Sequence, residues 1–255
     1  MSRGRLVSMN AFFSRPAVAS LSFAIALGAA GCTSLPSSSP VVRPPASAPP
    51  NVAWDIANLS HERVDFWVDR FTTGDKREEI AGYLARKPEY ESMILGRLRQ
   101  RGMPLDLIYL AMIESGFNPE ARSAWGAAGM WQLVPDTARR HGLRVDDEVD
   151  ERLDPEKSTD AALAYLAKLH DHFDSWYLAA AAYNVGENRV ARIMVEQTGN
   201  DRGTDADFYR IRELLPPETQ DFVPAMVAAA RIGKEPARYG FGGAGERAGG
   251  GILPF

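Results

Sequence analysis

Glu114 stands near the end of Leu105–Ser115 (LDLIYLAMIES), a stretch that is apolar on nearly every side apart from Asp106 and Glu114 itself. A helix of that composition is a buried one, and Gly116 directly after it suits a C-terminal cap. The carboxyl would then lie at the negative end of the helix dipole among apolar neighbours, and both effects favour its protonated form. A glutamic acid that stays neutral near pH 7 can hand a proton to a leaving oxygen, which is the work of a general acid. On these residues alone the plainer reading, a solvated cap or an ion-pair partner, stays open.

The next residues, SGFNPEARSAWGAAGMWQLVP, form a glycine-punctuated segment that brings Ser123, Trp125, Trp131 and Gln132 in just behind the helix. Aromatic faces stack on sugar rings, and amides and hydroxyls bond sugar hydroxyl and acetamido groups, so the composition suits a carbohydrate cleft. A place in the core fits the two tryptophans equally well, and Trp131 reads better as a wall residue than as a ligand contact.

Three blocks occur in order: Glu114-Ser115; then Ser123, Gly126, Ala127, Gly129 and Gln132; then Ala182-Tyr183-Asn184 followed by Gly186. This pattern resembles the soluble-lytic-transglycosylase-like family of lysozyme-like proteins. The likeness runs from about Glu62 through IESGFNP, GMWQ, AAYNVGENRV and LLPPETQDFVP to about Ile232, and is greatest to the membrane-bound lytic transglycosylase D subgroup. Met130-Trp131 replaces a Leu-Met common elsewhere in the family, and no repeated peptidoglycan-binding module follows.

The resemblance implies a mainly α, lysozyme-like domain with a helix-bounded substrate cleft that cuts peptidoglycan between N-acetylmuramic acid and N-acetylglucosamine without a cofactor. It implies that Glu114 protonates the bridging oxygen and then, as a base, takes the proton of the muramyl C6 hydroxyl, which closes on C1 to leave a 1,6-anhydro end. Two-carboxylate glycosidases work otherwise. By the same carry-over Ser123 would bond the acetamido group, Gln132 would line the cleft, Tyr183 would orient Glu114, and Asn184 would support them. The residues themselves leave Tyr183 free to be a core tyrosine, Asn184 a helix cap and Ser115 a partner of the helix-end backbone. A hydrolytic muramidase and a non-catalytic wall-binding lipoprotein are the competing functions.

The elements that must position these groups are helical. Periodicity near 3.6 marks segments around Arg63 to Phe71, Lys76 to Arg86, Tyr90 to Arg101, Leu105 to Ser115, Pro135 to Arg140, Pro155 to His172, Trp176 to Tyr183, Glu187 to Gln197 and Pro217 to Ile232. Pro224 should kink the last of them. No run of alternating β-branched residues appears. Residues 54–235 are read as the catalytic domain, and 236–255, rich in glycine, as a frayed tail.

Ahead of the domain, residues 1–31 hold Arg3, Arg5 and Arg15, no acid, and an apolar run from Ala17 to Ala30, the layout of an export signal. Leu27-Gly28-Ala29-Ala30-Gly31-Cys32 resembles a bacterial lipobox, which implies lipidation of Cys32. The alternative is an ordinary secretion signal, and Met9 is a second possible start. Residues 32–53, rich in proline and serine, read as a tether. The implied location is periplasmic and lipid-anchored, with Thr33 after the cysteine favouring the outer membrane.

The formal charge of −4 becomes −7 without the three leader arginines, so nucleic acid is not a partner we expect. One cysteine excludes an intrachain disulfide. The acidic run Asp146–Glu151 lacks the ligand spacing of an EF-hand, and the four histidines form no HExxH, so we expect no metal. A monomer is expected.

Overall fold

The computed structural model describes residues 53–242. The leader, Cys32, nearly all of the tether and the tail beyond Gly242 lie outside the described residues. Within them nine α-helices follow one another: α1 (Glu62–Thr72), α2 (Arg77–Gln100), α3 (Ile108–Ser115), α4 (Pro135–Arg140), α5 (Pro155–Phe173), α6 (Trp176–Val185), α7 (Glu187–Thr198), α8 (Asp205–Ile211) and α9 (Pro217–Lys234). No strand forms among the described residues, only isolated bridges such as those of Ala128 with Arg122 and Leu133. None of the described helices is long and apolar enough to cross a membrane.

Local chemistry sets the boundaries. Asp154 caps α5 by accepting from the amides of Glu156 and Lys157, with Pro155 in the first turn. Ser175 caps α6 through the Leu178 amide. Helix α6 is buried along Tyr177–Ala182, and its alanines let α5, α7, α8 and α9 close around it. Helix α9 packs on α1, α3 and α6, so the last long element covers the first and the one that carries Glu114.

The structure corrects the sequence reading in three places. Lys76 to Arg86 and Tyr90 to Arg101, read as two helices, are the single helix α2 running through Pro88. Ile80 and Tyr83 before the proline and Ile94 and Leu98 after it are all buried in the same core, and that burial offsets the lost helical hydrogen bond. Helix α8 was not anticipated; a capping box between Thr204 and Asp207 starts it, and at seven residues it is too short for periodicity to show. The segment read as a frayed tail begins instead with a 3-10 turn, Pro236–Tyr239, and Tyr239 and Phe241 pack against the core. The Arg77 guanidinium holds that turn by donating to the Gly240 carbonyl at 2.9 Å and lies over the Phe241 ring.

Helix α9 continues unbroken through Pro224. The proline cannot donate to the Gln220 carbonyl one turn back. Arg212 supplies the missing donor, its Nε lying 2.9 Å from that oxygen.

Candidate active site

Every residue of α3 is buried, and Gly116 ends the helix in the left-handed region with φ 62°. A side chain at Gly116 would meet Tyr83 at once, because an added Cβ would lie 2.0 Å from its Cδ1. The close approach of Tyr83 seals one flank of the helix end. Glu114 keeps only 7% of its surface exposed, and it faces a cleft of about 1070 Å³. Its Oε2 is buried with no hydrogen-bond partner among the described residues. Burial pushes the Glu114 carboxyl well above the usual carboxylate range, and the nearby Glu218 charge adds to the effect.

The segment after Gly116 is folded into tight turns that aim its polar groups. The Ser123 amide donates to the Ala127 carbonyl at 2.9 Å, and the Gly129 amide to that of Ala121 at 2.9 Å. Gly129 has φ 81°, and a Cβ there would lie 1.8 Å from the Arg152 carbonyl oxygen. Arg152 is buried beneath this loop. Its guanidinium grips Asp150 through both oxygens and donates to the carbonyls of Gly126 at 2.6 Å and Leu133 at 2.9 Å.

All five residues that the sequence singled out around the chemistry line the one cleft: Glu114, Ser123, Gln132, Tyr183 and Asn184. The Ser123 hydroxyl oxygen accepts from the amides of Trp125 and Ala127, at 3.3 and 3.0 Å, so it shapes the loop and retains its own proton to donate. Gln132 sits at φ 47°, a left-handed backbone that few non-glycine residues adopt. Its Nε2 donates to Gly129 and Ala121 carbonyls, which leaves Oε1 buried without a partner among the described residues.

The Tyr183 hydroxyl donates to the Trp131 carbonyl at 2.7 Å, and burial together with the Glu114 charge drives its pKa far above the usual phenol range. Asn184 accepts from the Thr219 hydroxyl at 2.7 Å and so joins the end of α6 to the start of α9. The described hydrogen bonds put neither Tyr183 nor Asn184 directly on Glu114.

Ser115 serves the backbone, donating to the Met130 carbonyl at 2.7 Å and accepting from the Asn118 amide. Trp131 is fully buried with its Nε1 on Thr159, a wall residue, whereas Trp125 stands 77% exposed at the mouth of the cleft.

Sequence reasoning missed Glu218. It occupies the first turn of α9 beside Asn184 and lines the same cleft as Glu114. Burial raises its pKa, while the Asn184 side chain pulls the other way. Also unforeseen is a ladder of rings in this wall: Tyr183 and Tyr165 have centroids 5.3 Å apart, and Tyr165 and His141 are 5.1 Å apart. The acidic run beyond the loop is held by cations, with Arg144 on Asp146 and Glu148 and Lys157 on Glu151.

Residues 93–204, which hold Glu114, Ser123, Gln132, Tyr183 and Asn184, match the family described as Transglycosylase SLT domain. The chain carries a transglycosylase SLT domain. It is 41% identical over 156 residues to membrane-bound lytic murein transglycosylase D of Escherichia coli (strain K12), covering 61% of this chain and 34% of that protein. Against membrane-bound lytic murein transglycosylase F 2 of Alkalilimnicola ehrlichii it is 33% identical over 195 residues, covering 72% of this chain and 42% of that one. The chain thus spans well under half the length of these curated relatives. Among solved structures, the 70 kDa soluble lytic transglycosylase of Escherichia coli aligns with a TM-score of 0.50 at 22% identity, over 69% of this chain and 28% of that one. That likeness establishes the fold of the SLT domain as the α-helical, lysozyme-like one.

Proposed function

We propose that this chain is a peptidoglycan lytic transglycosylase in which Glu114 acts first as acid and then as base. The observation that carries the reading is a carboxyl buried at the cleft, its Oε2 without a hydrogen-bond partner among the described residues and its pKa raised by burial. Its proton goes to the oxygen between N-acetylmuramic acid and N-acetylglucosamine as the bond from that oxygen to the muramyl C1 breaks. The C6 hydroxyl of the same sugar then attacks C1, and its proton returns to the Glu114 carboxylate. No water is consumed.

The other cleft residues have work in this scheme. The Tyr183 phenol is anchored on Trp131, and its oxygen retains lone pairs that can accept the Glu114 proton in a guiding hydrogen bond. The unpartnered Gln132 Oε1 and the Ser123 hydroxyl proton suit the amide and oxygen of an acetamido group. Asn184 ties the α6 end to the start of α9 through the Thr219 hydroxyl. Trp125 offers a ring face to a sugar entering the mouth.

Glu218 favours a second reading. A second carboxylate in the cleft is what a hydrolytic muramidase would use to activate water. Digestion of purified sacculi followed by mass analysis separates the two: anhydro products are one water lighter than reducing-end products. Glu114→Gln should lower turnover by roughly two to four orders of magnitude while the protein still sediments with sacculi. Undiminished turnover would end the assignment, and reducing ends lost in Glu218→Gln would establish hydrolysis.

The location we propose is the periplasm, with lipidated Cys32 as anchor; the sequence layout of residues 1–32 and the membrane-bound names of both relatives support it. Cys32→Ala should move the protein from the membrane fraction to the soluble periplasmic fraction.

A further inference from the structure

The cleft that holds Glu114 and Glu218 is also lined by the cations Arg140, Lys168 and Arg189. The Glu218 charge acts on Glu114, and the Arg140 and Lys168 charges act on His141 at the end of the aromatic ladder. Most arginines among the described residues are ion-paired, several of them twice. Arg140 and Arg189 are not: Arg140 donates only to the neutral Thr137 hydroxyl at 3.2 Å, and Arg189 has no hydrogen bond or ion pair among the described residues. Both are exposed. Lys168, by contrast, is bridged to Glu187 at 2.8 Å.

The place of Arg189 sharpens the point. It lies in the first turn of α7, Glu187–Thr198, where the helix dipole disfavours a cation. The one acid of that turn, Glu187, is already engaged by Lys168. A charge kept where local rules oppose it, facing a cleft and lacking a counter-ion, is the signature of a group awaiting an anion. His141 lines the same cleft, its pKa lowered by burial and by the Lys168 and Arg140 charges.

We propose that Arg140 and Arg189 form a subsite for the carboxylates of the peptide that branches from the muramyl lactyl group, so that the cleft selects peptide-bearing glycan over bare glycan. This rests on reading the cleft as a glycan site. A sugar chain lying along the ladder of Tyr183, Tyr165 and His141 would carry its side peptide to these cations of the same cleft. Guanidinium forks match carboxylates in geometry as well as charge.

The test needs no turnover. A disaccharide-peptide with N-acetylglucosamine followed by N-acetylmuramic acid lacks the bond to be cut, so the full wild-type chain can be titrated with it by calorimetry. The expected result is affinity roughly tenfold above that for the same disaccharide stripped of its peptide, with the gap closing in about 0.5 M salt. Amidation of the peptide carboxylates should remove the preference, which separates charge from contact area. In the double variant R140Q/R189Q the affinity ratio should fall towards one, and lysine at both positions should restore part of it. Equal wild-type affinities, no measurable binding of the peptide-bearing ligand, or a variant that weakens both ligands by the same factor would overturn the subsite. Preference for the peptide in a protein that cleaves no sacculi would leave the subsite standing and overturn the transglycosylase reading instead.

Discussion

Burial decides which form of Glu114 the native protein holds, and the consequence reaches stability as well as chemistry. Its folded pKa is raised well above the ordinary 4.5, so between that value and the folded pKa the native state binds more protons than the unfolded chain. The stabilising contribution is therefore full below about pH 4.5 and is lost as pH rises through the folded pKa. Glutamine cannot ionise, so the melting temperature of Glu114→Gln should gain on wild type as pH increases; parallel melting curves from pH 4 to 8 would contradict a buried acid. Tyr183→Phe removes the phenol that Trp131 anchors, and we expect a 10- to 100-fold loss of kcat with a stability cost of about 1 kcal/mol. Unchanged kcat would leave Tyr183 a packing residue. Glu114, Ser123, Gln132, Tyr183 and Asn184 were legible because their spacing forms a pattern in the chain itself. Glu218 was not: an acid in a helix's first turn reads as a complement to the dipole, and only the packing of α9 on α3 and α6 sets it beside Glu114.

At the scale of single elements, the end of α3 and the loop after it are fixed by glycines that admit no side chain. Gly116→Ala combines a left-handed backbone with a Cβ 2.0 Å from Tyr83 Cδ1, and should destabilise by about 2 kcal/mol or more. It should also lower kcat, because Glu114 lies two residues earlier; a urea midpoint like that of wild type would refute the crowding. Arg152→Ala leaves Asp150 with the exposed Arg122 as its ion-pair partner and removes a guanidinium donor from the Gly126 and Leu133 carbonyls. The expected loss is about 3–5 kcal/mol, read by denaturant unfolding, and a smaller loss would show that the loop holds itself. Composition announced the buried helix and the capping glycine. Arg152 carried no such mark, since a charged residue in an acidic stretch reads as surface until the loop closes over it. Periodicity likewise found both halves of α2 but could not weigh a proline against the core that spans it.

The whole molecule is held by contacts between residues far apart in sequence, which no local pattern discloses. Arg63 pairs with Asp221 and Arg231 with Asp65, and so they lock α1 to α9. Asp106, 1% exposed, receives the Asp55 amide at 2.9 Å and the Lys234 ammonium, which gathers the first described residues, the start of α3 and the end of α9 at one point. Asp106→Ala removes the carboxylate that ammonium meets, leaving it the Ala53 carbonyl and the Trp54 ring, and should cost about 3 kcal/mol, or roughly 10 °C in Tm for a domain of this size. A Tm within a few degrees of wild type would show the knot to be ornamental. The knot also settles how the molecule bears load. A pull on the chain ahead of Trp54 reaches Asp106 through the Asp55 and Ile56 amides, and Asp106 leads into the short α3 whose far end carries Glu114. Tension on the chain ahead of Trp54 would thus be delivered to a rod about 12 Å long whose opposite tip is Glu114, so stretching the protein by its amino end should be felt as force at the cleft.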